Sequence, residues 1–356
     1  MKVEKIVLNE ERNVTLTAYL QEVGGEFQYV TKRPAIMVLP GGGYQFCSDR
    51  EADPVALAYL KAGYQVFILR YSVKANSIWP NPLNDYEQAM ELIRSKKEEW
   101  CLYEDKIAVV GFSAGGHLAS CAATMSNNRP NAAILGYAVT IGEDVRSCNP
   151  SAPDTVSAID YDTCPCFVFA TRTDSVVPIV NSTKFINALA EQGIAFESHI
   201  YAYGPHGFST GDTSVQSKEM IMCSRAPHWV EDSISWLKDV LGDFGPDGMT
   251  TPVCKGHING DKEKYLSIDC TYALIMSNPT AMAIVGPVLA EMNKQTDVLV
   301  ETREMENVKD GDGFPGDMMS VIMGRLTLRE ILSIGKAPED VLEGLDVQLR
   351  QIPNTI

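Results

Sequence analysis

Ser113 lies in the run Ile107-Ala-Val-Val-Gly111-Phe-Ser113-Ala-Gly115-Gly116-His117-Leu-Ala119, where a short apolar stretch meets Gly-x-Ser-x-Gly and then an Ala-rich segment. A serine hydroxyl becomes a nucleophile when a base takes its proton, a carboxylate orients that base and N–H donors receive the developing oxyanion. The apolar residues Ile107 to Val110 read as a buried parallel strand, and Ala114 to Met125 carries apolar residues at helical spacing. A chain that turns so sharply from strand to helix leaves no room for side chains at Gly111 and Gly115, and it pushes the serine into a strained, exposed position. The pattern is that of a nucleophile elbow rather than of a glycine-rich surface turn.

Candidates for the other groups follow two later strands. Arg172-Thr-Asp174-Ser-Val-Val-Pro178 comes directly after an apolar run, which places a carboxylate just beyond a strand end, on the sheet edge that also carries Ser113. Asp174 alone fits an Asx-turn equally well. Tyr203-Gly-Pro-His206-Gly-Phe208 follows the next strand and brings an imidazole to the same edge. Of the five histidines, only His206 lies on a loop after a strand downstream of both Ser113 and Asp174. His117 sits in the helix after the elbow, too near in sequence to swing over Ser113, and reads as a structural hydrogen bonder. The oxyanion donors are expected from the Ala114 N–H and from Pro40-Gly41-Gly42-Gly43-Tyr44, where glycines let backbone N–H groups approach a ligand. No Gly-x-Gly-x-x-Gly or Walker lysine accompanies that loop, which argues against a phosphate cradle. Tyr44 and Phe46 come next to it, and their rings either narrow the acyl side and offer a stacking face to a sugar or belong to ordinary core packing.

These residues need a scaffold. Strands are expected at Ala35–Leu39, Gln65–Tyr71, Lys106–Val110, Ala132–Tyr137, Cys166–Thr171 and Phe196–Tyr201, and helices near Asp53–Lys61, Asn84–Trp100, Ala114–Met125, Ile179–Gln192 and Trp229–Leu241. Such alternation is the signature of a parallel sheet covered by helices on both faces. The turn-rich Gly242-Asp-Phe-Gly-Pro-Asp-Gly248 reads as a boundary, giving domains 1–242 and 243–356. The second part reads as a small, mainly helical appendage. One helix starts at Pro279 and runs to Asn293, a second opens with the capping box Thr327-Leu-Arg-Glu330 and stops at Gly335, and a third begins at Pro338. Its apolar stripes call for a partner surface, on the first domain or on a second copy in a homo-oligomer. Asp310-Gly-Asp312-Gly313 reads as a plain turn because it lacks the terminal bidentate Glu of a calcium loop.

Composition narrows the partners. The chain has 356 residues and a net charge of −16, with 46 acidic against 30 basic side chains, which argues against nucleic acid or anionic membrane and favours a small neutral substrate. The first residues hold too short an apolar run for a signal peptide, and nine cysteines, an odd number, suggest reduced thiols; a cytoplasmic location is expected. Cys164-Pro-Cys166 reads as core packing, and neither a metal nor an organic cofactor is expected.

Taken together, Pro40-Gly-Gly-Gly-Tyr44, Gly111-Phe-Ser-Ala-Gly-Gly-His-Leu-Ala119, Asp174-Ser-Val-Val-Pro178 and His206-Gly-Phe208 resemble the α/β-hydrolase esterases grouped with bacterial acetyl-xylan esterases and BD-type feruloyl esterases. The resemblance covers roughly residues 25 to 241. It implies an α/β-hydrolase fold, with Ser113 as nucleophile, Asp174 as orienting acid, His206 as base and Gly42, Gly43 and Ala114 as oxyanion donors. Two departures stand out: Thr171 three residues before the acid, where relatives often carry Gly, and Pro40 in place of the His of HGGG lipases. The activity implied is that of a serine carboxylesterase on small acyl esters, with acetylated xylo-oligosaccharides as the expected substrates. The alternatives are an arylformamidase-like amidase or a peptidase on the same fold, or a non-catalytic binding protein that keeps the fold.

Overall fold

The computed structural model describes residues 1–215, 220–302 and 316–354. Its centre is an eight-stranded sheet in the order β1-β2-β4-β3-β5-β6-β7-β8. The six expected strands are there as β3 (Arg33–Leu39), β4 (Gln65–Arg70), β5 (Leu102–Phe112), β6 (Ala132–Gly136), β7 (Cys166–Thr171) and β8 (Phe196–Tyr201), all parallel to one another. Two strands that the sequence reading left out, β1 (Lys2–Asn9) and β2 (Val14–Leu20), extend the sheet antiparallel on the β4 side. In β2 the residues Val14, Leu16, Ala18 and Leu20 are buried, the alternation of a strand with one face on the core.

The central strands are apolar through their middles on both faces, because helices cover both sides of the sheet. In β3, Ala35, Met37 and Leu39 join one core cluster while Ile36 and Val38 join the other. In β5, Ile107 and Val109 face the first cluster and Ala108, Val110 and Phe112 the second. The flanking helices are α1 (Asp53–Lys61), α2 (Asn81–Ser95), α3 (Ala114–Thr124), α5 (Val180–Gln192) and α6 (Trp229–Leu241), with a single turn α4 (Gly142–Val145) after β6. Helix α2 begins earlier than its sequence pattern suggests, because Pro82 near its start has no N–H to leave unpaired there and fixes a helical φ, and it ends at Ser95.

The chain divides into two compact units, Met1–Gly256 and His257–Ile356. The first runs past the boundary read at residue 242. Residues 243–256 remain part of it through a short hairpin, β9 (Phe244–Gly245) with β10 (Gly248–Met249), and through the Val253 and Cys254 N–H groups, both bonded to the Asp239 carbonyl. Ala195 N–H also bonds Gly256 O, closing the last residue of the unit onto the start of β8.

In the second unit lie α7 (Tyr272–Ser277), α8 (Pro279–Thr302), α9 (Gly316–Arg325), α10 (Leu328–Ile334) and α11 (Glu339–Leu349). The capping box is present: Thr327 Oγ1 accepts from Glu330 N–H while Glu330 Oε2 accepts from Thr327 N–H. Thr271 caps α7 by accepting Leu274 N–H while its own N–H is taken by Asp261 Oδ1, and the two caps lie side by side in an antiparallel bridge, with Tyr272 N–H to Leu326 O and Leu328 N–H to Cys270 O. Leu266, Ile275, Val285, Leu328, Leu332, Leu345 and Leu349 build a core of its own. The expected turn at Asp310–Gly313 lies outside the described residues. Among those described, no helix is long and apolar enough to cross a membrane, and no group of three or more His, Cys, Asp or Glu is placed to hold a metal ion.

Candidate active site

The elbow forms as its glycines require. A Cβ at Gly111 would overlap the Gly115 carbonyl, and one at Gly115 would overlap the carbonyl oxygens of Leu39 and Pro40. Strand β5 and helix α3 therefore meet at glycine distance. Ser113, between them, takes φ 53° and ψ −117°, a conformation costly for a residue with a side chain. It is held there by its own N–H on Gly136 O and by its carbonyl, which accepts from His117 N–H.

His206 completes a line of hydrogen bonds. Its Nδ1 is 2.7 Å from Asp174 Oδ2 and its Nε2 is 2.9 Å from Ser113 Oγ. An ionised carboxylate can only accept, so Nδ1 carries the proton and Nε2 of the neutral ring accepts from the serine hydroxyl. The remaining oxygen of Asp174, Oδ1, accepts from the N–H groups of Val176 and Val177, each at 2.9 Å. The Asx-turn geometry and the pairing with His206 thus coexist in one side chain. Thr171, the departure noted three residues before the acid, donates its hydroxyl to Gly204 O and so ties the end of β7 to the loop that carries His206.

Backbone donors face this line. Ala114 is the first residue of α3, where an N–H has no partner inside the helix. Across from it, the register Leu39 to Gly111 sets the Pro40–Gly43 loop beside Ser113. The Gly41 carbonyl accepts from Ser48 N–H and the Gly42 carbonyl from Gln45 N–H. In a trans peptide the carbonyl and the next N–H point to opposite sides, so these bonds turn the N–H groups of Gly42 and Gly43 away from the loop's own interior. Gly42 has φ 134°, and a Cβ there would overlap the Phe46 carbonyl.

A cavity of about 520 Å³ opens in front of these groups. Gly42, Gly43, Ala114, Ser113 and His206 line it, together with Phe46, Arg50, Glu51, Glu143, Ser147, Cys148 and Val176. Phe46 is 59 % exposed, a free ring at the cavity wall. Tyr44 requires a correction: it is fully buried, absent from the wall, and its hydroxyl bonds His117 Nδ1 at 2.7 Å. The ring turned inward because that partner lies a turn inside α3. His117 Nε2 donates to the Pro153 carbonyl and Nδ1 accepts from the Tyr44 hydroxyl, as the neutral ring allows, and burial pushes its pKa down to about 4. Gly207 lines the cavity beside His206, and the opposite wall comes from 143–148 and 176–178.

Sequence reasoning missed two groups beneath the site, Glu51 and Tyr137. Glu51 Oε2 accepts from Gly41 N–H and Oε1 from the Tyr137 hydroxyl, both at 2.7 Å. Glu51 stands in Arg50-Glu-Ala-Asp-Pro54, an acidic run that reads simply as a helix start, which disguises it.

Comparisons with known proteins bear on the fold and the family. A family model described as BD-FAE matches residues 28–141, and that of the prolyl oligopeptidase family matches residues 142–242. Endo-1,4-beta-xylanase B of Butyrivibrio fibrisolvens is 31% identical over 211 residues, 51% of this chain and 33% of that protein. The acetylxylan esterase of Xylanibacter ruminicola is 27% identical over 228 residues, 58% of this chain and 45% of that protein. The chain therefore spans a third to just under half of these curated relatives. Among solved structures, an α/β-hydrolase enzyme from a Medee basin deep-sea metagenome library is 40% identical with a TM-score of 0.63, covering 68% of this chain and 98% of its own. With that degree of identity across nearly the whole of a solved relative, and the strand order and elbow just described, the chain belongs to the α/β-hydrolase family.

Proposed function

We propose that the protein is a serine carboxylesterase acting on small acyl esters. The observation that carries the reading is the continuous hydrogen-bonded line Ser113–His206–Asp174 at the mouth of a cavity. In this reading Ser113 Oγ attacks the ester carbonyl as His206 Nε2 takes its proton. The N–H groups of Ala114, Gly42 and Gly43 receive the negative charge that develops on the carbonyl oxygen. His206 then protonates the leaving alcohol, and water releases the acyl group by the same steps in reverse order of roles. Asp174 stays ionised throughout and keeps the imidazole in the productive tautomer.

For the substrate, acetylated xylo-oligosaccharides are the preferred reading. Two relatives of the chain are named as a xylanase and an acetylxylan esterase. The cavity offers an exposed ring at Phe46 for sugar stacking, and Arg50, Glu143 and Ser147 for hydroxyl groups. All nine cysteines are free thiols, in keeping with a cytoplasmic enzyme that meets imported oligosaccharides.

The test is labelling of Ser113 with a fluorophosphonate, followed by kcat/KM along p-nitrophenyl acetate, propionate and butyrate and by acetate release from acetylated xylo-oligosaccharides. A graded fall from acetyl to butyryl is expected, since one methylene changes discrimination by only ~1–3 kcal/mol. No labelling overturns the serine mechanism. Labelling with rapid formanilide cleavage, but no acetate release, overturns the substrate.

A further inference from the structure

Three carboxylates are buried among the described residues: Glu51, Asp85 and Asp174. Asp85 bonds the Arg12 guanidinium and Asp174 bonds His206, whereas the Glu51 carboxylate accepts from two neutral donors, Gly41 N–H and the Tyr137 hydroxyl. A charge taken out of water without a counter-ion costs several kcal/mol unless hydrogen bonds replace its hydration. Such a group at a cleft calls for a reason.

Resting on the reading of Ser113 as nucleophile, we propose that Glu51 is a positioning residue that locks the oxyanion loop and the histidine loop into one register. Each of its oxygens holds one of the two loops. Oε2 fixes Gly41 N–H; with the Gly41 carbonyl fixed by Ser48 N–H, both backbone groups of that residue are set, and the Gly42 N–H is aimed as a consequence. Oε1 receives the Tyr137 hydroxyl proton, and the same hydroxyl oxygen accepts Ser209 N–H at 3.0 Å. Ser209 stands three residues after His206, its carbonyl bonded by Trp229 Nε1 and its hydroxyl by the Arg50 carbonyl next to Glu51. The Tyr137 ring also meets the His206 imidazole edge-on, with centroids 5.0 Å apart.

Every donor in the chain Ser209 N–H, Tyr137 O–H, Glu51, Gly41 N–H runs toward the carboxylate. Only an acceptor at both ends fits, which is the ionised form. Glutamine would turn one amide N–H₂ toward a donor. Burial pushes the Glu51 carboxyl above the usual carboxylate range, and the two hydrogen bonds pull it back. A gap here loosens donors and base together, although Glu51 needs no contact with the reacting atoms.

The experiment uses the full chain and compares wild type, S113A, E51Q, Y137F and E51Q/Y137F with p-nitrophenyl acetate. Active sites are counted by fluorophosphonate titration, and Ki is measured for phenylboronic acid, whose tetrahedral adduct occupies the oxyanion site. Loss of one oxyanion donor costs about 10²–10³ in kcat, so a donor that is displaced but present should cost about 10–100-fold. E51Q and Y137F are expected to lower kcat per titrated site in that range with KM within about twofold. Ki should rise in parallel, and the double variant should be no slower than E51Q. Where E51Q fails to fold, Y137F, which keeps the carboxylate and its Gly41 bond, carries the test. Unchanged kcat per titrated site in an active protein overturns this inference alone, as does a loss confined to the number of folded sites. A wild type no faster than S113A overturns the esterase reading and this inference with it.

Discussion

Glycine means one thing at the elbow and another in the helical C-terminal unit. At Gly111, Gly115 and Gly116 an added Cβ would run into Gly115, into Leu39 and Pro40, and into Ala138. At Gly286 in α8 and Gly344 in α11 nothing lies within 4 Å of such a Cβ, and neither has a positive φ. The first set exists because two backbones must touch. The second is tolerated on helix surfaces where any good helix former would serve. The difference separates a region whose sequence is dictated by a reaction from one dictated by propensity and a modest core.

Breaking the line of hydrogen bonds should give the largest effects. S113A and H206A are each expected to remove 10⁴–10⁶ of turnover, with little added by combining them, because the three side chains act as a unit; multiplying losses would dismantle the assignment. D174N should fold and lose roughly 10⁴ in kcat through the wrong imidazole tautomer. Harm from substitution at Asp160 or Asp162 instead would move the acid elsewhere.

The glycine contrast is sharpened by G115A against G344A. Backbone movement of about 1 Å at a reacting group costs about 10²-fold, so G115A should lose at least that much kcat/KM. G344A should leave kcat/KM unchanged and raise stability by about 0.5–1 kcal/mol, measured by urea unfolding. Equal behaviour of the two variants would erase the distinction.

Acid should act on the first unit through His117. Its folded pKa of about 4 lies below its ordinary value of 6.5. Between those values the unfolded chain binds a proton that the folded one refuses, so stability is full above pH 6.5 and falls as the pH drops toward 4. The loss approaches roughly 3 kcal/mol. H117Q, neutral over this range, should show a smaller fall between pH 7 and pH 5 in the same unfolding assay. An identical fall would assign the acid sensitivity to other groups.

Truncation tests the boundary itself. A chain ending at Gly256 is expected to keep fluorophosphonate labelling at Ser113 on a small activated ester scale, with changes confined to solubility, oligomeric state or substrate range. Ending at Leu241 should give the less stable protein, because it removes Phe244, which packs against Gly63, and the residues that bond Asp239 O. The ordering of the two melting temperatures is the check.

Much of the first unit was legible because its constraints are local. The strands β7 and β8 and the helices α1 and α6 have the bounds their periodicity predicts, and the elbow is fixed by glycines four residues apart. What escaped depended on distant partners. Strand β1 carries Lys2, Glu4 and Lys5 among its apolar residues because it lies at the sheet edge, so its pattern is diluted. Tyr44 reads as a wall residue until one knows that His117 is within reach of its hydroxyl. Glu51 meets Tyr137 across 86 positions of sequence, a pairing that no local pattern records. The cavity wall at 143–148 belongs to a single helical turn whose placement follows only from the packing of β6 and α5 around it, where Asn181 binds the N–H groups of Thr140 and Ile141.

The strand order also sets a timetable for the chain during synthesis. Ser113 and His206 are separated by 93 residues, with three further parallel strands between them. On the esterase reading proposed above, a nascent chain that has formed β3 to β6 and α3 already presents the strained serine, its N–H resting on Gly136 O, yet that serine is an ordinary alcohol until β8 docks and delivers the imidazole. Pairings this remote in sequence form late. Reactivity toward acyl groups therefore appears only as the last strand seats, which spares the unfinished chain from acylation and makes the onset of labelling at Ser113 a clock for the final step of assembly.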